Sequence, residues 1–339
     1  MTVFGFWNNK GGTGKTSLAF QAMCRYAAWH PDENILAIDV CPQANLSELL
    51  LGGLTGEGSR NLISLHGLTP RKTIGGYFQL RLPSPFSIPA FDINSYIVTP
   101  SLYNRNIPKN IDLVAGDPLV ELQSNAVSTL ANTQVPGTNT WISVIEWVYN
   151  FIRQCDDRFD HIFIDANPSF SIYTQMAIAA IDLLVLPVMS DDSSRRAIQN
   201  AFSLIHGLRL PSPIYSQYAF ATKLKEAERE LPKVHIIAKN RLTQYMGPAS
   251  AYSAVLRSID NDVESLLAER PSMFSFPKAE DGMVDIRDFQ TTGVVAFANG
   301  CPFFNLSVGE HRIMERRIRI KDENLVNCTD AIEKLVQKL

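Results

Sequence analysis

The sequence has no run of about eighteen apolar residues and no N-terminal apolar stretch of signal length. Both absences argue against a membrane-spanning helix or a secretory leader and lead us to expect a soluble, cytoplasmic protein. Cysteine and histidine are scarce, with five and six in 339 residues. Cys24, Cys41, Cys155, Cys301 and Cys328 are odd in number and lack Cys-x-x-Cys spacing, which argues for a reducing compartment and against structural zinc. The dispersed histidines suggest no metal cluster. Low-complexity tracts and internal repeats are also missing. The formal net charge of −3 excludes no partner class, because local patches decide nucleic-acid binding. What remains is 45% hydrophobic. That is ample for one large domain over residues 1–339, or for a domain with a sizeable insertion.

The most informative segment is residues 8–17, Asn-Asn-Lys-Gly-Gly-Thr-Gly-Lys-Thr-Ser. An apolar run at 3–7, long enough only for a short buried strand, precedes it. Residues 17–30 follow with Leu18, Ala19, Met23 and Ala27 at helical spacing, and Pro31 stops the pattern. Strand, glycine loop and helix form the context a phosphate-binding loop requires. Glycines let successive backbone N–H groups converge on phosphate oxygens at the positive end of a helix. Gly11, Gly12, Thr13, Gly14, Lys15, Thr16 and Ser17 are therefore the candidate nucleotide-binding residues. Lys15 would bridge the outer phosphates of ATP, and the Thr16 hydroxyl would ligate Mg²⁺.

Asn9 stands where the common eight-residue loop begins with glycine, and Lys10 follows it. This loop resembles the deviant Walker A of the ParA/MinD superfamily, Lys-Gly-Gly-x-Gly-Lys-Thr-Thr/Ser. Two further segments are similar to the same family in the same order. Residues 34–47 contain Asp39-Val-Cys-Pro-Gln-Ala-Asn and resemble its switch I, usually Asp-x-Asp-Pro-Gln-x-Asn. Residues 160–169 end in Asp165-Ala-Asn-Pro-Ser and resemble its Walker B strand, usually Asp-x-Pro-Pro-Ser. Less specific likenesses cover 180–188, 234–240 and 286–303. Asn9 and the Pro42-Gln43 pair lean toward ParA-type partition ATPases rather than MinD. The chain opens on its first strand, so we expect no helix-turn-helix ahead of the loop.

The resemblance implies an α/β fold of the deviant Walker A P-loop NTPase type, with a mostly parallel sheet flanked by helices. It implies a homodimer that sandwiches ATP, in which Lys10 reaches the partner's phosphates. Lys10, Lys15 and Asp39 would be catalytic, Asp39 and Asp165 would serve magnesium with Thr16, and Asn240 would read the base. It also implies an ATPase that binds DNA or a partner protein and is stimulated by a ParB-like activator. One departure bears on rate. Cys41 occupies the place of the second switch I aspartate, which helps position the attacking water. A thiol is neutral near pH 7 and cannot hold water as a carboxylate does, so slow hydrolysis is expected. The alternatives are an ATP-holding switch or scaffold with little turnover, such as a defence-system component, or a MinD-like membrane-positioned ATPase. A metabolic transferase on the same loop is weaker, because such loops usually lack a lysine at position 10.

Residues 51–108, rich in glycine and proline, are read as a divergent insertion, either shaping partner choice or packing on the body. Residues 210–232 are a smaller addition whose mixed charges suggest a solvated helix face. For DNA the candidates are Arg312, Arg316, Arg317, Arg319 and Lys321, with Arg195-Arg196 as a further contribution. Clustered cations suffice for sequence-independent phosphate contacts, although such a run also suits a solvated helix edge. Residues 329–339 suggest an amphipathic helix. Its polar face mixes Asp330 and Glu333 with Lys334 and Lys338, so we expect it to pack on the body rather than on a membrane.

Overall fold

The computed structural model describes residues 1–189, 191–242 and 251–339, with the backbone alone for 192–195 and 251–253. Among these, seven strands form one parallel sheet: β1 (Thr2–Phe6), β2 (Ile35–Asp39), β3 (Ile111–Val114), β4 (His161–Asp165), β5 (Leu183–Met189), β6 (Lys233–Leu242) and β7 (Met283–Arg287). Their order is β3-β2-β4-β1-β5-β6-β7, and every pairing is parallel. β8 (Gly309–Ile313) and β9 (Arg316–Ile320) form a separate antiparallel hairpin. The strands are short apolar runs because both faces of a parallel sheet are covered by helices, leaving no polar side to alternate with.

Successive side chains nonetheless go to opposite faces. Phe4, Phe6, Ile35, Ala37, Phe163 and Val185 join one core, beneath the helices Lys15–Trp29 and Asp322–Val336. Val3, Leu36, Ile38, Ile162, Ile164 and Leu186 join the other, beneath helices that include Trp147–Gln154 and Ile172–Ala179. At the centre of the first core the ring of Phe163 lies 5.3 Å from Phe4 and 6.4 Å from Phe6. Truncating such a side chain to alanine costs about 3–5 kcal/mol.

Register sets the functional edge. Asp39 pairs directly with Asp165 across β2 and β4, and Phe6 at the end of β1 pairs with Asp165 from the other side. The C-terminal ends of three adjacent strands thus bring two carboxylates and the glycine loop together. This is the edge where open parallel sheets hold ligands.

Residues 51–108 carry more regular structure than their composition suggests. Helices run Gly58–His66 and Ile74–Arg81, and short 3₁₀ turns lie at Ile93–Ser95 and Pro100–Leu102. Tyr77 and Phe78 are buried in the main core, and the Tyr77 hydroxyl donates to the Trp147 carbonyl at 2.8 Å. Arg71 and Thr73 both bond to the buried Asp117. Within 210–232, helices run Pro213–Tyr218 and Phe220–Glu226, the second burying Phe220 and Leu224.

Two sequence expectations change. The basic run is a hairpin rather than a helix edge. The last helix begins at Asp322, not 329, because Lys321 already has extended backbone and serves as its N-cap. Its Ala331, Ile332, Leu335 and Val336 are buried, and Glu333 pairs with Arg25 of the helix Lys15–Trp29. None of the described helices is long and apolar enough to cross a membrane.

Candidate functional site

The loop between β1 and the helix Lys15–Trp29 is held from outside and open within. The Asn8 side chain is fully buried, donating to the Pro187 carbonyl at 2.7 Å and accepting from the Lys10 amide at 3.0 Å. The Asn240 amide, at the end of β6, donates to the Thr13 carbonyl at 2.9 Å. Gly12 and Gly14 have φ of +74° and +88°, a region that favours glycine. A Cβ at Gly11 or Gly12 would meet nothing within 4 Å, so backbone N–H groups line an open cradle there. The helix that follows starts at Lys15 with no side-chain cap and no acid in its first turn. Its unsatisfied N–H groups and dipole favour an anion.

The two lysines differ. Lys15 is buried, and its ammonium donates to the Lys10 carbonyl at 3.2 Å. Burial pulls its pKa below the ordinary lysine range, with Asp165 and Cys41 opposing. The Lys10 ammonium reaches across to Asp191 just beyond β5, at 2.6 and 2.8 Å from its two oxygens. Ser17 lies half-buried in the first turn of the helix.

Asp165 accepts from the Thr16 hydroxyl at 2.6 Å through one oxygen, while its other oxygen is buried without a partner. Burial, then the charge of Asp39, push its pKa up to about 7, against Thr16 and Lys15. An unpartnered buried carboxylate oxygen beside a hydroxyl is a donor set that suits a hard cation. Asp39 is satisfied differently. Its oxygens accept from the amides of Cys41 and Ser47, both at 3.0 Å, and from the Ser47 hydroxyl at 2.8 Å. Burial raises it to about 6, with those bonds opposing. Ser47 Oγ also accepts from the Gly116 amide at 2.8 Å, so Asp39 anchors the start of the helix Asn45–Leu50 to the sheet. Cys41 is buried, and desolvation with the neighbouring carboxylates pushes its thiol up to about 12.

The structure therefore brings Lys10, Gly11, Gly12, Thr13, Gly14, Lys15, Thr16, Asp39, Asp165 and Asn240 to one edge. Arg312, Arg316, Arg317, Arg319 and Lys321 lie apart from it, all exposed. On the hairpin, Arg312 faces Arg317 and Glu310 faces Arg319, while Ile313, Ile318 and Ile320 pack toward Val295 and Leu325. Arg312, Arg317 and Arg319 thus share the outer surface with Glu310. Arg196 is exposed, and the Arg195 side chain lies outside the described residues. Sequence reasoning missed Asp191, Ser47 and the set Asn167, Tyr173 and Glu121. Ser47 and Asn167 sit inside the two motif segments, and Asn167 was legible there as a departure from the usual proline.

The chain is similar to known proteins in sequence profile and in fold. The profile of the AAA_31 family, described as an AAA domain, matches residues 1–211. No curated protein matches the sequence significantly. The fold is similar to that of a point variant of Cyanothece McdA solved as an ATP complex, with a TM-score of 0.61 and 12% identity, covering 99% of this chain and 96% of that one. It is also similar to a plasmid partition protein of Borrelia burgdorferi B31 bound to AMPPNP, with a TM-score of 0.55, 13% identity and coverage of 100% and 99%. A third similar structure is pNOB8 ParA bound to nonspecific DNA, with a TM-score of 0.51, 18% identity and coverage of 84% and 85%. With the profile spanning more than half its length, this chain belongs to the AAA_31 family of the ParA/MinD superfamily.

Proposed function

We propose that the protein is a ParA-like ATPase that closes into a homodimer around ATP, binds DNA or a partner protein in that state and resets on hydrolysis. The observation that carries the reading is the open cradle at Gly11 and Gly12 in front of a buried Lys15, with Thr16 and the unpartnered oxygen of Asp165 beside it. The cradle amides and Lys15 bind and orient the phosphates; Ser17, in the first helical turn, adds a hydroxyl, and Asn240 supports the loop from the base side. Thr16 and Asp165 would hold Mg²⁺, with Asp39 adding its charge from the neighbouring strand. When bound, that ion neutralises charge on the phosphate oxygens.

Lys10 would serve the partner's nucleotide, which requires that it exchange Asp191 for phosphate oxygens as the dimer closes. The structure of pNOB8 ParA bound to nonspecific DNA supports DNA as the partner, and the exposed Arg312, Arg316, Arg317, Arg319 and Lys321 would make the phosphate contacts. A ParB-like activator is the expected protein partner. The domain is read as one P-loop ATPase unit over 1–339, with 51–108 and 210–232 as elaborations. Its cellular place is the cytoplasm, with no role at a membrane for the buried face of the last helix.

Cys41 favours a second reading, in which ATP is held rather than turned over. A protonated thiol supplies no fixed negative charge for the nucleophile. We expect basal turnover on the order of one per minute or less, at the low end of catalysed rates. Calorimetry with Mg·ATP tests the site itself. Lys15→Ala should weaken binding by about 2–5 kcal/mol, because it removes a buried charge partner of the phosphates. Unchanged affinity would refute the assignment.

A further inference from the structure

Once Asp39 is committed to Ser47 and Cys41, little remains at this edge to hold a water in line with a bound nucleotide. Asp165 bonds Thr16 and is the candidate cation ligand. Cys41 offers only a thiol, a weak hydrogen-bonding group. Among the described residues, a polar side chain set beside these groups is Asn167, two residues past Asp165 and half-buried just beyond β4. Its backbone carbonyl accepts from the Trp7 indole at 2.8 Å, which fixes it against the strand leading into the phosphate loop. Its Oδ1 lies 3.8 Å from the Cys41 sulfur, so the two departures from the usual family motifs meet in space.

The carboxamide is also oriented. Asn167 Nδ2 donates to the Ser169 hydroxyl at 2.9 Å and to the Tyr173 hydroxyl at 2.8 Å. Tyr173 in turn donates to Glu121 at 2.8 Å. An ionised carboxylate only accepts, so Tyr173 must spend its proton on Glu121 and accept from Asn167. The chain of bonds therefore fixes which end of the amide faces Cys41: it is the oxygen, with a lone pair left over. The Cys41 thiol donates to that oxygen only at the long distance of 3.8 Å, so the oxygen keeps acceptor capacity toward this edge.

We propose that Asn167 is the water-positioning residue of this ATPase, with Tyr173 and Glu121 as positioning residues behind it. The inference rests on the ATPase reading above. Asn167 Oδ1 accepts one hydrogen bond from the water and turns its oxygen toward the terminal phosphorus. The water oxygen forms the new P–O bond as the bond to the bridging oxygen breaks, and ADP leaves with that electron pair. The surplus water proton ends on the released phosphate. Asn167 takes no proton and contributes only orientation, without the charge of a carboxylate, which fits a slow enzyme.

The test is steady-state hydrolysis of Mg·ATP by the full chain, with calorimetry of a non-hydrolysable ATP analogue on each variant. Asn167→Ala should lower kcat by about tenfold or more while KM and analogue affinity stay within about twofold, since orientation acts on the reacting geometry rather than on ground-state binding. Tyr173→Phe should lower kcat less, by a few-fold. Asn167→Asp keeps an acceptor, so its kcat should exceed that of Asn167→Ala. A purely structural role gives no reason for the acceptor alone to restore kcat at unchanged KM. Asn167→Ala with parental kcat, or with kcat and analogue affinity falling together, would overturn the proposal and leave the ATPase reading standing. A parent that binds the analogue yet hydrolyses ATP no faster than Lys15→Ala would overturn both.

Discussion

The phosphate-loop edge and the β8–β9 hairpin are both rich in charge, yet they hold it in opposite ways. At the edge, Lys15, Asp39 and Asp165 are buried, shifted in pKa and tied by bonds of 2.6–3.2 Å, the one from Thr16 to Asp165 joining residues 149 positions apart. On the hairpin, Arg312, Arg317 and Arg319 stand in solvent on a ribbon whose isoleucines pack beneath them. Buried charge is costly unless paired, so each group at the edge has its partners dictated by the fold. Exposed charge costs little and can be rearranged freely. The edge can therefore do chemistry that depends on angstrom placement, while the hairpin suits a partner that asks only for positive charge.

If the edge is over-determined, small changes there should have large effects. The largest is expected at Gly14. A Cβ there would lie 2.1 Å from Asn240 Nδ2, and φ of +88° is itself unfavourable for alanine. Gly14→Ala should lose about 1–3 kcal/mol of stability in denaturant titration. Adding Asn240→Ala should recover the steric part only, and full recovery would show that the backbone there is not constrained.

Next is Cys41→Asp, which restores a fixed charge beside Asp165. Turnover should rise by about tenfold, equivalent to about 1.4 kcal/mol of barrier. A variant slower than its parent would mean that the buried site does not admit a third carboxylate.

The hairpin should respond most gently and most diffusely. Replacing Arg312, Arg316, Arg317 and Arg319 by alanine should leave the fold and nucleotide binding intact and weaken DNA binding equally for all sequences. Its salt slope should fall by about 0.9 for each phosphate that is no longer neutralised. A variant that shifts DNA as its parent does would end the contrast.

The same contrast explains what was legible in the sequence. The strands ending in Asp39 and Asp165, and the loop between β1 and Lys15, were readable because burial, glycine and hydroxyl positions are all demanded locally. The hairpin was not, although Arg317-Ile318-Arg319-Ile320 does alternate as a strand should. Its turn at Met314-Glu315 carries no glycine or asparagine, and Met314 adopts φ of +53° without the usual signal. In 51–108 the glycines and prolines masked two helices, because Tyr77 and Phe78 find their core in residues 70 positions away. Asn167 shows the limit differently. Its identity was in view, but its approach to Cys41 depends on two strands that meet only in the folded sheet.

The central claim is that Lys10 acts between protomers once ATP is bound. Multi-angle light scattering with a non-hydrolysable ATP analogue and Mg²⁺ tests it most directly, comparing the parent with Lys10→Ala. The parent should double in mass when the analogue is added, while the variant should bind the analogue yet stay monomeric. A parent whose mass ignores the nucleotide, or a variant that dimerises as readily as the parent, would contradict it.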